Sequence, residues 1–418
     1  MNASSDSLDL RLLFWSFAFF AFTCTFSIAL AQLSLGLSAA IFIVFALRHR
    51  YNPFAHPLRW FYMAVAAWIV WLLFTGLLGD TPLRSWRLSR EEWLFVAVPI
   101  GVLLFQDRRR QAIVLGALAV GVGLVGIYGL IQYPTGFNLI PRHRIVEAPG
   151  YGYRVLAAFN HYMTFSNFYA VVAAFLSGYT LAAFGTMNRF RRYLFGASSV
   201  LAILMTLLSF GRGAVASLII VLMLTLVLLG RKYARVSIIG IAALVVILLA
   251  IPGVTDRYFS DYNKDASVEN PGGRLFIWEH SFQVIADHPL FGVGMGNFKD
   301  AYAAKLPEGT PENRYYAHAH NDALNVAAIS GIPGLVLFGL LWLTVLGYCW
   351  YGFRQTRHDD PEAAAGYFAA LVGSLCFAAT SVTEATFVDE EVRQLLMFVW
   401  AVGLAGWYKT KSDRTVRG

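Results

Sequence analysis

The sequence predicts an all-α polytopic membrane protein. Three observations carry this. Of 418 residues, 57% are hydrophobic and only 14% charged, where a soluble domain carries about 25% charge. Mean hydropathy is +0.56. The apolar residues also fall in long unbroken runs, and about 20 such residues cross a bilayer as a helix. A membrane β-barrel would need alternating segments of about ten residues instead. The composition excludes a disordered chain, a coiled coil and a disulfide-stapled domain. It also excludes a nucleic-acid-binding domain, despite the net charge of +8.

Twelve runs qualify as spans. The first two, 11–31 and 33–48, are followed by a basic loop with Arg48, Arg50 and Arg59. The next are 59–79 and 92–105, then Arg108, Arg109 and Arg110 open 111–132. Spans at 157–184 and 193–210 flank Arg189, Arg191 and Arg192. Those at 213–230 and 235–252 flank Arg231, Lys232 and Arg235. The last three, 331–352, 362–383 and 393–409, carry Arg354 and Arg357 in one loop and a basic tail. The runs at 33–48 and 92–105 are short, which implies tilt, a thinned bilayer or partial re-entry.

Orientation follows from Lys and Arg. With the N-terminus in the cytoplasm, 19 of the 33 basic residues and 7 of the 25 acids lie inside. Net charge is then +12 inside and −4 outside. The basic balance is therefore mostly a topology signal, not a polyanion footprint. Both termini fall in the cytoplasm. Ala29-Leu30-Ala31 resembles a signal-peptidase site. The apolar run before it is long and its flank carries Asp6 and Asp9, so an uncleaved first helix is expected. Cys24, Cys349 and Cys376 lie inside apolar runs and read as small core residues.

Polar material gathers on the outer side. Residues 133–156 form a medium loop with Arg142, Arg144 and Arg154. Residues 253–330 form one large loop, so the chain divides into helices over 1–252, a loop domain over 253–330, and helices with a tail over 331–418. No internal repeat is visible. In the large loop, Arg274 opens a helix whose Leu275, Trp278, Phe282 and Ile285 form an apolar face, closed by Asp287-His288-Pro289. An arginine at a helix N-terminus suits an anion. Taken alone, the pattern favours a solvated arginine. Gly292, Gly294 and Gly296 lack the dinucleotide spacing and read as a turn for close backbone packing. His318 and His320 lack a third ligand for zinc. His320 precedes a helix that Gly331 and Pro333 break or kink, and the helix dipole there favours the neutral imidazole a general base needs. Arg212, between Gly211 and Gly213, stands against the charge trend at an outer helix junction.

Together these pieces resemble the O-antigen ligase/polymerase superfamily of bacterial envelope glycosyltransferases. The marker is His320-Asn321, nine residues, Gly331, two residues, Gly334. Arg212-Gly213, and Arg274 with Trp278 followed by 288–298, complete it. The resemblance implies a GT-C-type bundle in the inner membrane with a periplasmic catalytic loop. It implies a glycan donor on undecaprenyl pyrophosphate, a lipid A–core acceptor, contact with membrane lipids, and no metal or other cofactor. His320 would be the general base, with Arg212 and Arg274 on the pyrophosphate. His318, Arg314, Tyr316 and Asn321 would bind substrate, as would Arg142, Arg144 and Arg154 unless they form a membrane-surface rim. An O-antigen polymerase or a protein O-oligosaccharyltransferase would use the same donor. The short C-terminal end favours the ligase over the protein-glycosylating members. A polysaccharide or lipid transporter would need charges deep within spans or matching broken halves. A scaffold would not need His and Arg gathered on one outer loop. Glu384, Asp389, Glu390 and Glu391 leave room for a carboxylate base but read more simply as an acidic outer loop.

Overall fold

The computed structural model describes residues 7–54, 57–140, 143–148, 151–230 and 273–415. These are helical, with no strand among them beyond one isolated bridge between Glu147 and Tyr153. In chain order the helices are α1 (Leu8–Thr23), α2 (Ile28–Arg48), α3 (Arg59–Leu78), α4 (Pro82–Ser89), a 3₁₀ stretch (Arg90–Val96), and α5 (Ala97–Leu104). Then come α6 (Arg108–Thr135), α7 (Tyr162–Ala182), α8 (Arg189–Leu208), α9 (Arg212–Leu229), α10 (Arg274–Asp287) and α11 (Phe298–Ala303). The last are α12 (Asp322–Thr356), α13 (Pro361–Thr380) and α14 (Glu390–Thr415).

Among the described residues, eight helices are long and apolar enough to cross a membrane: α2, α3, α6, α7, α8, α9, α12 and α13. The expected first span is shorter than read, because a turn at 24–27 ends α1 early and Ala29-Leu30-Ala31 starts α2. The run at 92–105 divides into 3₁₀ and α segments. The expected span at 235–252 and the start of the large loop lie outside the described residues.

Polar residues set the helix starts. Ser27, Asp107, Asn188 and Asp360 each accept a hydrogen bond from a first-turn amide of the helix they precede. Each answers one of the four donors a helix start leaves unpaired. The helices α7 and α13 are apolar all round and buried along nearly their whole length, so they form the centre of the bundle. Small residues let them approach: a Cβ on Gly178 would meet Val372 and Ala369, and one on Gly373 would meet Phe175. One end of the bundle collects the basic loops, where Arg108 pairs with Asp360 and Glu362, and Arg191 also reaches Glu362. The opposite end carries 24–27, 136–140, 143–148, 151–161, 209–213, 273–321 and 381–389.

The helix α12 breaks at Gly331, whose φ is 74°. Pro333 has no N–H, so the ladder cannot continue there. The carbonyls thus freed are taken by other segments. Val293 and Gly294 donate to Ala328 and Ile329 at 2.9 and 3.0 Å, and Trp71 Nε1 donates to Ser330 at 2.8 Å. The backbone of 290–292 presses so close that a Cβ on Gly331 would collide with Leu290. The glycine run is thus a close-packing turn, with Gly292, Gly294 and Gly296 all at positive φ. We expect Gly331→Ala to destabilise the fold by about 3 kcal/mol, from left-handed strain plus overpacking. Thermal unfolding in detergent measures this; a wild-type midpoint would mean the loop can retreat.

The helix α10 buries a different face from the one expected. Phe276, Ile277, His280, Ser281, Val284 and Ile285 are buried, while Leu275 and Phe282 are exposed. His280 and Ser281 bond back to the carbonyls of Phe276 and Ile277, which lets polar side chains face inward. Spacing of apolar residues alone could not reveal that self-satisfaction.

Candidate active site

Three segments meet at the polar end of the bundle. The first is the junction of α8 and α9, Ser209–Gly213. Phe210 there is left-handed (φ 58°) and turns the chain so that Arg212 becomes the first residue of α9. The flanking glycines serve closeness rather than bending: a Cβ on Gly211 would strike Ser166 of α7, and one on Gly213 would strike Thr383. The second segment is the start of α10, which presents Arg274. The third is the strap 381–389 between α13 and α14.

The strap is heavily pinned. Asp322 donates its amide to the carbonyl of Ser381, and its carboxylate accepts from the Phe387 amide and Thr386 Oγ1. Asn321 caps α12 through Leu324 and donates its Nδ2 to Val382 O at 3.0 Å. Arg274 Nε donates to Thr383 O at 2.9 Å. These bonds fix Glu384, which pairs with both Arg274 and His320.

His320 Nδ1 lies 2.8 Å from Glu384 Oε2. A carboxylate at Nδ1 selects the tautomer with its proton there, leaving Nε2 as the basic nitrogen. His320 itself is left-handed (φ 49°), one of four such non-glycine residues among those described. Two of these, Phe210 and His320, border this site, and strain of this kind persists only where its surroundings enforce it. His318 stacks edge-on at 4.3 Å, and its Nδ1 receives the His320 amide at 3.4 Å. Burial, then the neighbouring His320, pushes His318 down to about 4, against the pull of Glu384. It is uncharged at neutral pH. Burial opposes ionisation of Glu384, but the hydrogen bond from His320 and the charge of Arg274 outweigh it, so its pKa falls below the usual value. Burial, with Glu391 beside it, raises Asp389 to about 7.

A cavity of about 290 Å³ opens here, lined by Tyr162, Asn167, Arg212, Arg274, Thr383 and Glu384 among others. The structure thus brings Arg212 and Arg274 to one wall. His320 abuts that wall through Glu384 rather than lining it. Tyr316 packs edge-on against His320 at 5.2 Å, and exposed Arg314 reaches the Tyr316 hydroxyl at 3.4 Å. Arg154 sits over the Tyr162 ring at 4.5 Å, so it borders the cavity through that residue. Arg144 is exposed and does not line the cavity. Arg142 lies outside the described residues. Among those described, no group of three or more His, Cys, Asp or Glu residues is spaced for a metal ion.

Sequence reasoning underrated Glu384, which ties the base candidate to an arginine. Its loop carries four acids that read equally well as topology. Its distance from His320 along the chain, 64 residues, gave no spacing signal.

Chemically, the arrangement offers a carboxylate-oriented imidazole beside two guanidinium groups. It suits proton removal next to a developing anion. No curated protein matches the chain. Residues 197–339 match the family model described as O-antigen ligase, a stretch that holds Arg212, Arg274, His320, Gly331 and Gly334.

Proposed function

We propose that this protein moves a glycan from undecaprenyl pyrophosphate onto the lipid A–core oligosaccharide. The bundle is of GT-C type in the bacterial inner membrane, with the site at the periplasmic face, 253–330 as a periplasmic loop domain and both termini cytoplasmic. The observation that supports this most is the linkage of His320 to Arg274 through Glu384, beside a cavity shared with Arg212.

His320 Nε2 takes the proton from an acceptor sugar hydroxyl. The oxygen attacks the anomeric carbon of the donor as the bond to the pyrophosphate oxygen breaks. Attack opposite the leaving group inverts the anomeric centre. Arg212 and Arg274 receive the charge that gathers on the pyrophosphate. A guanidinium has five N–H donors, and the bonds of Arg274 named above use two. Glu384 lines the cavity, but its lowered basicity makes it a poor proton acceptor. It serves by holding the imidazole. Tyr316, His318, Arg314 and Asn321 shape the acceptor side, and Arg154, with Arg142 and Arg144, faces phosphates of donor or core.

The deciding experiment is reconstitution with undecaprenyl-pyrophosphate glycan and three separate acceptors. Product on lipid A–core supports the ligase. Product only on a second donor molecule, or only on a Ser/Thr protein, assigns the chain to polymerisation or protein glycosylation. Replacing Arg212 by Ala should lower kcat by about 10²-fold, the usual loss when one charge-stabilising donor is removed. Activity should persist in EDTA. Loss restored by Mg²⁺ or Mn²⁺ would overturn the assignment of charge stabilisation to the arginines alone.

A further inference from the structure

A second cavity, of about 350 Å³, opens at the same end of the bundle. Its wall includes Phe26 and Ser27 from the α1–α2 turn, His143 from the loop after α6, Phe159 and Asn160 ahead of α7, and Glu391 in the first turn of α14. The transfer chemistry above uses none of these six.

The two cavities flank the N-terminus of α7. Asn160 lines one and Tyr162 the other, with His161 alone between them in the chain. His161 caps α7 through Met163 and senses the charges of Glu384, Arg154 and His320. On the facing side, Asp389 accepts from Thr164 at 3.1 Å. It stands between Glu384, which lines the first cavity, and Glu391, which lines the second. Neighbouring residues of the same two segments therefore line both cavities.

The second cavity lies at the small end of the ligand-pocket range of roughly 300–1,000 Å³. Its chemistry is selective. Phe26 with Ile28, Leu30 and Ile140 offers apolar surface, and Ser27, Asn160 and Glu391 offer donors and acceptors around it. A phosphate would meet Glu391, with Glu390 next to it, and be repelled. An acyl chain would strip water from an amide and a carboxylate and give nothing back. A pyranose, with an apolar ring face and a hydroxylated edge, matches both parts.

We propose that this second cavity is a saccharide subsite, holding one neutral pyranose unit of the donor or acceptor glycan while the reacting end lies in the first cavity. This rests on the glycan-transfer reading above. The test is titration calorimetry on the full chain in detergent. Two free probes are used: core oligosaccharide cleaved from lipid A, and O-glycan released from its pyrophosphate. One of them binds wild type, and which one does assigns the subsite to acceptor or donor. Asn160→Ala and Glu391→Ala each weaken that binding by about tenfold or more, the loss expected for one good hydrogen bond to a charged or amide group. Arg212→Ala, in the first cavity, leaves the Kd within about twofold. Should Glu391→Ala unfold, Glu391→Gln carries the comparison, because it keeps the shape and removes the charge. Binding of neither probe to wild type, or wild-type affinity in folded variants, overturns the proposal. Failure of the glycan-transfer reading shows differently, as absent transfer by wild type with saccharide binding intact.

Discussion

His320→Ala is expected to lower glycan transfer by about 10³-fold while the protein still inserts and folds, as judged by its melting temperature and gel-filtration profile. The imidazole is held in a single tautomer by Glu384 at 2.8 Å, which leaves Nε2 as its basic nitrogen. Backbone strain could confuse the reading, since residue 320 is left-handed and Ala tolerates that poorly. His320→Asn removes this doubt. Asn adopts the left-handed conformation readily but has no basic nitrogen, so it should be as inactive as Ala. Glu384→Gln should fall between, by about 10²-fold in kcat, because the imidazole loses its anionic partner but stays in place. Full activity in either His320 variant would remove the general-base assignment. Equal activity of Glu384→Gln and wild type would remove the orienting role of the carboxylate.

The largest expected loss of stability is at Arg393. The residue is 2% exposed, and its guanidinium donates to Glu92 at 3.0 Å and to Glu91 at 3.1 Å. Trp68 Nε1 also donates to Glu92 at 3.2 Å, and the Phe387 ring lies 5.1 Å from the Arg393 guanidinium carbon. This pair joins α14 to the 3₁₀ stretch before α5. Arg393→Leu leaves Glu92 buried without its cation and should cost about 3–5 kcal/mol. The double change Arg393→Leu with Glu92→Leu removes both charges and should recover most of that. If the double variant melts as low as the single one, the arginine acts through packing rather than through the pair.

These two cases mark what was legible in the sequence. The membrane class, most helices and the break at Gly331 follow from local signals: apolar run length, basic loops and a Gly-Pro pair. So does the gathering of Arg212, Arg274 and His320, because the His-Asn and Gly spacing carries a family pattern. Pairings between distant segments do not follow. Glu92 and Arg393 are 301 residues apart, and each looks like the charged rim of its own span. Their burial contradicts the expectation that charges stay at exposed ends. Glu384 was similarly hidden among acids that satisfy topology by themselves. Asn321, expected to meet substrate, also caps α12 and holds the strap, a positioning role its sequence context did not reveal.

The break at Gly331 also has a bearing on assembly. The last carbonyls of the short helix 322–330 are completed by amides from 293–294 and by Trp71, which lies 259 residues earlier in the chain. In apolar surroundings such carbonyls cannot be left open. Completion of the short helix therefore depends on α3 and on the loop that packs against it. His320 precedes that helix, and Glu384 lies on the strap between α13 and α14. A chain whose loop has not docked has its membrane body but not the completed helix that His320 precedes.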